Sequence, residues 1–152
     1  MAKYESNIKF VNAPAESVYE RLSDLSVLQE KLDSLPEEKR QEIQQKVSES
    51  SKGMLSLDSL HFTKETASLN AMGMTLTVSI VEKQPFKLVK YATSNSPIDM
   101  KLWVQMLPKD PNISKIRVTL EADIPFFLKP MVGDKIEGLA EKIADALTRI
   151  PY

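Results

Sequence analysis

Leu128-Lys129-Pro130-Met131-Val132-Gly133-Asp134-Lys135-Ile136-Glu137-Gly138-Leu139-Ala140-Glu141-Lys142-Ile143-Ala144-Asp145-Ala146-Leu147-Thr148-Arg149-Ile150 is the stretch that decides the fold. Leu128, Met131, Val132, Ile136, Leu139, Ala140, Ile143, Leu147 and Ile150 recur at steps of three and four, the period of one buried helical face. Lys129, Asp134, Glu137, Glu141, Lys142 and Asp145 lie mostly off that stripe. Pro130 suits a first helical turn and Pro151 ends the run. Lys142 and Arg149 sit toward the C-terminal end, where the helix dipole favours cations. About twenty residues at ~1.5 Å each make a rod of ~30 Å, the span of a strand of about nine or ten residues at ~3.3 Å each. The spacing predicts a helix over Leu128–Ile150 that can lie along a whole sheet.

Upstream, the pattern supplies that sheet. Tyr4 to Val11 alternates, with Tyr4, Ser6, Ile8 and Phe10 on one side and Glu5, Asn7 and Lys9 on the other. Asn12-Ala13-Pro14 turns into a short helix with Val18, Tyr19, Leu22 and Leu25 as its apolar face, and Leu28 and Leu32 suggest a second. Ser34-Leu35-Pro36-Glu37 reads as a capping box for a mixed-charge helix over Pro36–Glu49, apolar only at Ile43 and Val47. Six strands are then expected: Leu57–Thr63, Thr66–Ala71, Met74–Ile80, Lys87–Thr93, Ile98–Met106 and Ile116–Ala122. Met72-Gly73, Lys83-Gln84-Pro85-Phe86, Ser94-Asn95-Ser96-Pro97 and Pro108-Lys109-Asp110-Pro111-Asn112 are the turns and loops. Connections this short imply antiparallel pairing. A sheet apolar on one face needs a cover there, and the C-terminal helix is the only element long enough.

The chain has 152 residues, 42% of them hydrophobic, which suits a single domain over 1–152 with one core. Its 20 basic and 21 acidic residues leave a net charge of −1, so no field of one sign is available for nucleic acid or an anionic membrane. Absence of Cys excludes disulfides, thiolate nucleophiles and Cys-ligated metals. Met1-Ala2-Lys3-Tyr4-Glu5-Ser6-Asn7 has no apolar signal core, and no run approaches the length of a membrane span. A cytoplasmic protein that is not integral to a membrane is the expectation.

The opening Ile8-Lys9-Phe10-Val11-Asn12-Ala13-Pro14-Ala15-Glu16-Ser17-Val18-Tyr19-Glu20-Arg21-Leu22-Ser23-Asp24-Leu25 resembles the start of START-like proteins, the SRPBCC superfamily. This superfamily includes the birch-pollen-allergen and polyketide cyclase families. The segment from Met72-Gly73 through Val81-Glu82-Lys83-Gln84-Pro85-Phe86-Lys87-Leu88-Val89-Lys90-Tyr91 is similar to its strand–turn–strand, and Ile124-Pro125-Phe126-Phe127 before the last helix to its ending. The resemblance covers essentially the whole chain. It implies an α+β helix-grip fold, a curved antiparallel sheet of about seven strands wrapped around a long C-terminal helix. It also implies a hydrophobic cavity between the two. The superfamily shares no single catalytic motif, so the resemblance assigns no catalytic residue.

Individual side chains carry little chemistry. His61 is the only histidine, with Asp58 nearby, and a metal site wants three or four ligands, so a strand histidine on the sheet surface is the expectation. Trp103 falls on the polar face by simple alternation; a stacking platform for a ligand is one reading, and an outer-surface position, or an inward turn through a bulge, is the expectation. Met72, Met74, Met100, Met106 and Met131 fall on or near the concave side, where methionine fills gaps or lines adaptable pockets. Gly133 and Gly138 inside a helical run invite close approach to sheet or ligand. Glu121 and Asp123 share the polar face, and solvation accounts for them. No phosphate loop, dinucleotide fingerprint or nucleophile elbow is present, and no cofactor or metal is expected.

Three readings stay open on the sequence. The first is a non-catalytic carrier or sensor of a hydrophobic, lipid-like small molecule, lined by Met74, Leu76, Tyr91, Met100, Leu102, Met131 and Lys135. Tyr91 offers a hydroxyl, and Lys135 a charge for an anionic head. The second is an enzyme resembling polyketide cyclases or dehydratases, for which Tyr91, Lys135 and Lys90 are the available ionisable groups. The third is a protein-interaction module, of chaperone co-activator or quinone-binding type, with the Pro36–Glu49 helix as the docking element.

Overall fold

The computed structural model describes residues 2–51, 59–71, 74–94, 96, 98–130, 136–150 and 152. In chain order the described elements are β1 (Ala2–Glu5), β2 (Lys9–Val11), α1 (Ala15–Leu22), α2 (Ser26–Asp33), α3 (Glu37–Ser51), β3 (His61–Phe62), β4 (Thr66–Ala71), β5 (Met74–Gln84), β6 (Leu88–Ser94), β7 (Asp99–Asp110), β8 (Ile113–Asp123) and α4 (Leu139–Leu147). The strands form one eight-stranded sheet in the order β1-β8-β7-β6-β5-β4-β3, with β2 also on β8. The class is α+β, as the patterning predicts. Two compact units divide the chain: Met1–Ser23, Ile80–Ala92 and Pro97–Tyr152 form the first, and Asp24–Ser79 and Thr93–Ser96 the second.

In the first unit, cross-strand register sorts the side chains into rows. On one face Tyr91 pairs with Leu102, Leu102 with Leu120, and Leu120 with Tyr4. The next row is Val89, Val104 and Val118, and the row beyond it Met106, Ile116 and Lys9. Val89, Val104, Met106, Ile116, Val118 and Leu120 are essentially sealed from solvent. We call this the inner face, because α1 packs on β7 and β8, and α4 on β8, β1 and β2. The opposite, outer face carries Lys90, Trp103 and Thr119 in one row and Leu88, Gln105 and Arg117 in the next. Trp103 therefore sits on the outer face, with the Lys90 and Lys3 ammonium groups 5.0 and 5.7 Å from its ring centre.

The N-terminal strand departs from simple alternation. Tyr4 lies opposite Leu120, yet Lys9 lies opposite Ile116, so one extra residue is inserted between β1 and β2. Ser6 fixes the break: its N–H donates to the Val118 carbonyl at 2.8 Å, and its Oγ accepts the Val118 N–H at 2.9 Å. An inserted residue inverts every side chain after it. Lys9 and Val11 consequently face inward, while Phe10, expected beside Tyr4, points outward and stays 55% exposed.

The C-terminal run also differs in detail. Leu128 closes a turn, its N–H donating to the Pro125 carbonyl. Lys129, Pro130, Ile136 and Glu137 are helical, as the spacing predicts, residues 131–135 lie outside the described part, and α4 follows a turn at Gly138, whose backbone is at φ −87° and ψ −3°. The buried line is Ile136, Ala140 and Ala144, at steps of four, while Leu139, Ile143 and Leu147 are half-buried on its flank. Alanine is small enough to let helix and sheet approach. Lys9 pins α4 to the sheet, its ammonium 3.0 Å from Asp145 and 3.3 Å from Glu141. Asn7 adds a hydrogen bond from Nδ2 to Glu141 at 2.8 Å. A Cβ placed on Gly138 would meet nothing within 4 Å, so this glycine marks no close approach; Gly133 lies outside the described residues.

In the second unit, Asp24 accepts the Ser26 N–H at the start of α2. Ser34 does not open a capping box; its Oγ donates to the Lys31 carbonyl at 3.1 Å and finishes α2 instead. The charged helix, expected over Pro36–Glu49, runs from Glu37 to Ser51. Gln29 on α2 accepts the Phe62 N–H at 2.8 Å, tying α2 to β3. β4 and β5 pair antiparallel, with Leu69 opposite Leu76.

Candidate functional site

Tyr91 and Leu102 are cross-strand partners in the middle of the inner face, and Met100 lies opposite Ala122 in the adjacent row. Along β7 burial changes steadily. Met106 and Val104 are sealed, whereas Leu102 and Met100 are only half-buried. On β7 the inner-face side chains Leu102 and Met100 are thus partly open, while their β8 partners Leu120 and Ala122 are sealed.

The Tyr91 hydroxyl is engaged. It donates to the Leu22 carbonyl, the last residue of α1, satisfying one of the acceptors that a helix end leaves open. Tyr152 does the same for α4, its hydroxyl donating to the Leu147 carbonyl at 2.7 Å. Burial pushes the Tyr91 hydroxyl well above the usual tyrosine range, with Tyr152 adding to the effect. Burial also pushes Tyr152 up to about 12, against the opposing charge of Arg21. Neither hydroxyl ionises near neutral pH, so neither is suited to act as a general base. Arg21 has a buried Nη1 without a hydrogen-bond partner among the described residues.

The seven residues expected to line a ligand site divide as follows. Tyr91, Met100 and Leu102 come together on the inner face of the first unit. Leu76 is half-buried on β5 in the second unit, and Met74 begins the same strand. Met131 and Lys135 lie outside the described residues. His61 is exposed on β3. Among the described residues there is no cluster of three or more His, Asp or Glu that could hold a metal, and no helix long and apolar enough to cross a membrane.

A cavity of about 530 Å³ opens on the outer face of the first unit. Leu88, Gln105, Arg117, Leu107 and Lys115 border it from outer-face positions, joined by Ile8 from the stretch between β1 and β2. None of the seven expected lining residues takes part. Periodicity does not reveal this cavity, because its walls come from four separate segments and simple alternation puts Ile8 on the same side as Tyr4, which the residue inserted between β1 and β2 undoes.

The sequence matches no protein-family model and no curated protein. Its fold matches solved structures over nearly the whole chain. A conserved protein from Geobacillus kaustophilus is 12% identical, with 97% of this chain and 90% of that chain covered at a TM-score of 0.58. Truncated norcoclaurine synthase from Thalictrum flavum is 10% identical, with 97% and 91% covered at a TM-score of 0.60. A START superfamily protein from Mycobacterium smegmatis is 12% identical, with 98% and 99% covered at a TM-score of 0.51. The fold is START/SRPBCC-like, the helix-grip class that the sequence resembles.

Proposed function

We propose that this chain, as one START-like domain over residues 1–152, binds a hydrophobic, lipid-like small molecule without transforming it. The site lies on the inner face of the first unit at Tyr91, Met100 and Leu102. Met131 and Lys135 join it on sequence grounds. One observation carries the reading: apolar side chains stay half-buried where the rest of that face is sealed. Met100 and Leu102 on β7 and Leu139, Ile143 and Leu147 on α4 are in this state. Apolar surface left partly open loses roughly 25 cal/mol per Å² of stabilisation that a buried guest would restore. The engaged hydroxyls of Tyr91 and Tyr152 favour holding over acid–base chemistry. The START/SRPBCC-like fold supports the same reading, since that superfamily binds hydrophobic ligands.

Titration with the uncharged dye Nile red tests it. The wild type should bind saturably, and Met100→Trp should abolish binding while far-UV dichroism is retained. Unchanged dye uptake in Met100→Trp would refute the site.

A further inference from the structure

The outer-face cavity has a chemical character of its own. Of the residues that line it, Lys87, Lys115 and Arg117 are cationic and none is acidic. Its apolar lining is Ile8, Leu88 and Leu107, with Ile8 49% and Leu107 64% exposed, together with Met106 and Ile116, which are themselves 1% exposed. Arg117 meets Glu5 only at 3.8 Å through Nη1, and its Nε is buried without a hydrogen-bond partner among the described residues. The Arg117 side chain is nevertheless 42% exposed, and a guanidinium matches a carboxylate particularly well. Lys109 sits 4.4 Å over the Phe10 ring next to this patch, adding charge beside an apolar surface. The volume of about 530 Å³ lies within the usual ~300–1,000 Å³ of small-molecule sites.

We propose that this cavity is a second site, distinct from the inner face, for a single-chain fatty carboxylate. Arg117 and Lys115 hold the carboxylate, and Ile8, Leu88 and Leu107 hold the first part of the alkyl chain. Charge complementarity selects this occupant: the lining is cationic at Lys87, Lys115 and Arg117, of which only Arg117 has an acidic neighbour, Glu5, among the described residues.

Trp103 supplies the readout. It is the only tryptophan, and it lies on the same face as Gln105, two positions along β7. Dibromostearate, a short-range quencher, should quench its fluorescence saturably. Arg117→Gln and Leu107→Asp, both at solvent-accessible positions, should each weaken quenching about tenfold. Both variants should keep Nile red uptake, which reads the inner face separately. Methyl dibromostearate, which lacks the charge, should quench weakly. Equal quenching of wild type and both variants, or equal quenching by acid and ester, would overturn the proposal. Quenching by vesicles of brominated phosphatidylglycerol but not by free dibromostearate would overturn it in favour of a membrane surface.

Discussion

Replacing Tyr91 by Phe tests whether its hydroxyl anchors the fold or greets a ligand. The residue is 9% exposed, and its hydroxyl donates to the carbonyl that ends α1, on a leucine that is itself 7% exposed. Removing the hydroxyl forfeits a net hydrogen bond of about 1 kcal/mol and leaves that carbonyl unmatched, for a total loss of ~1–3 kcal/mol. For a chain of this size each kcal/mol shifts Tm by roughly 2–4 °C, so a fall of about 4–8 °C is expected for a loss near 2 kcal/mol. Urea denaturation should show a lower midpoint with an unchanged slope. The phenyl ring stays in its row beside Leu102, so Nile red affinity should hold within about twofold. An unchanged Tm together with lost dye binding would refute the reasoning and make the hydroxyl a ligand group.

Gly138→Ala should raise stability by up to ~1 kcal/mol, because the backbone there is already helical and a methyl meets open space; a lower urea midpoint would contradict this. Lys9→Met should speed hydrogen exchange of the α4 amides at neutral pH, since Asp145 and then Glu141 hold the ammonium. The Lys9 pKa is raised, so its contribution is full below the usual 10.5 and fades as pH rises through the higher folded value. Unchanged α4 exchange would show that the ion pairs do not hold the helix. Tyr91 and Tyr152 keep their protons longer folded than unfolded, so stability should fall as pH rises above 10 and on toward the folded value of about 12 for Tyr152. Tyr152→Phe should flatten part of that fall, and superimposable alkaline melting curves would reject the assignment.

Much of this architecture can be read from alternation. β6, β7 and β8 show their apolar face at every second residue, and Trp103 lies on the outer face, as that period requires. The period fails where a side chain substitutes for the backbone ladder. Ser6 bonds Val118 and inserts one residue, which reverses Phe10 and Lys9. Ser34 carries the right spacing for one helix start but serves the end of the preceding helix, because either helix end can use a hydroxyl. Ala144 is fully buried yet too weakly hydrophobic to stand out in the sequence. Alternation does place Tyr91, Met100 and Leu102 on one face. It does not show the outer cavity, because Gln105, Lys115 and Arg117 read singly as solvated residues and meet only through cross-strand register.

Native mass spectrometry of the freshly purified chain, wild type beside Met100→Trp, addresses the central claim of ligand burial on the inner face. The account predicts an adduct of apolar mass on the wild type that is absent from Met100→Trp. A wild-type spectrum holding only the bare polypeptide, or the same adduct persisting in Met100→Trp, would contradict it.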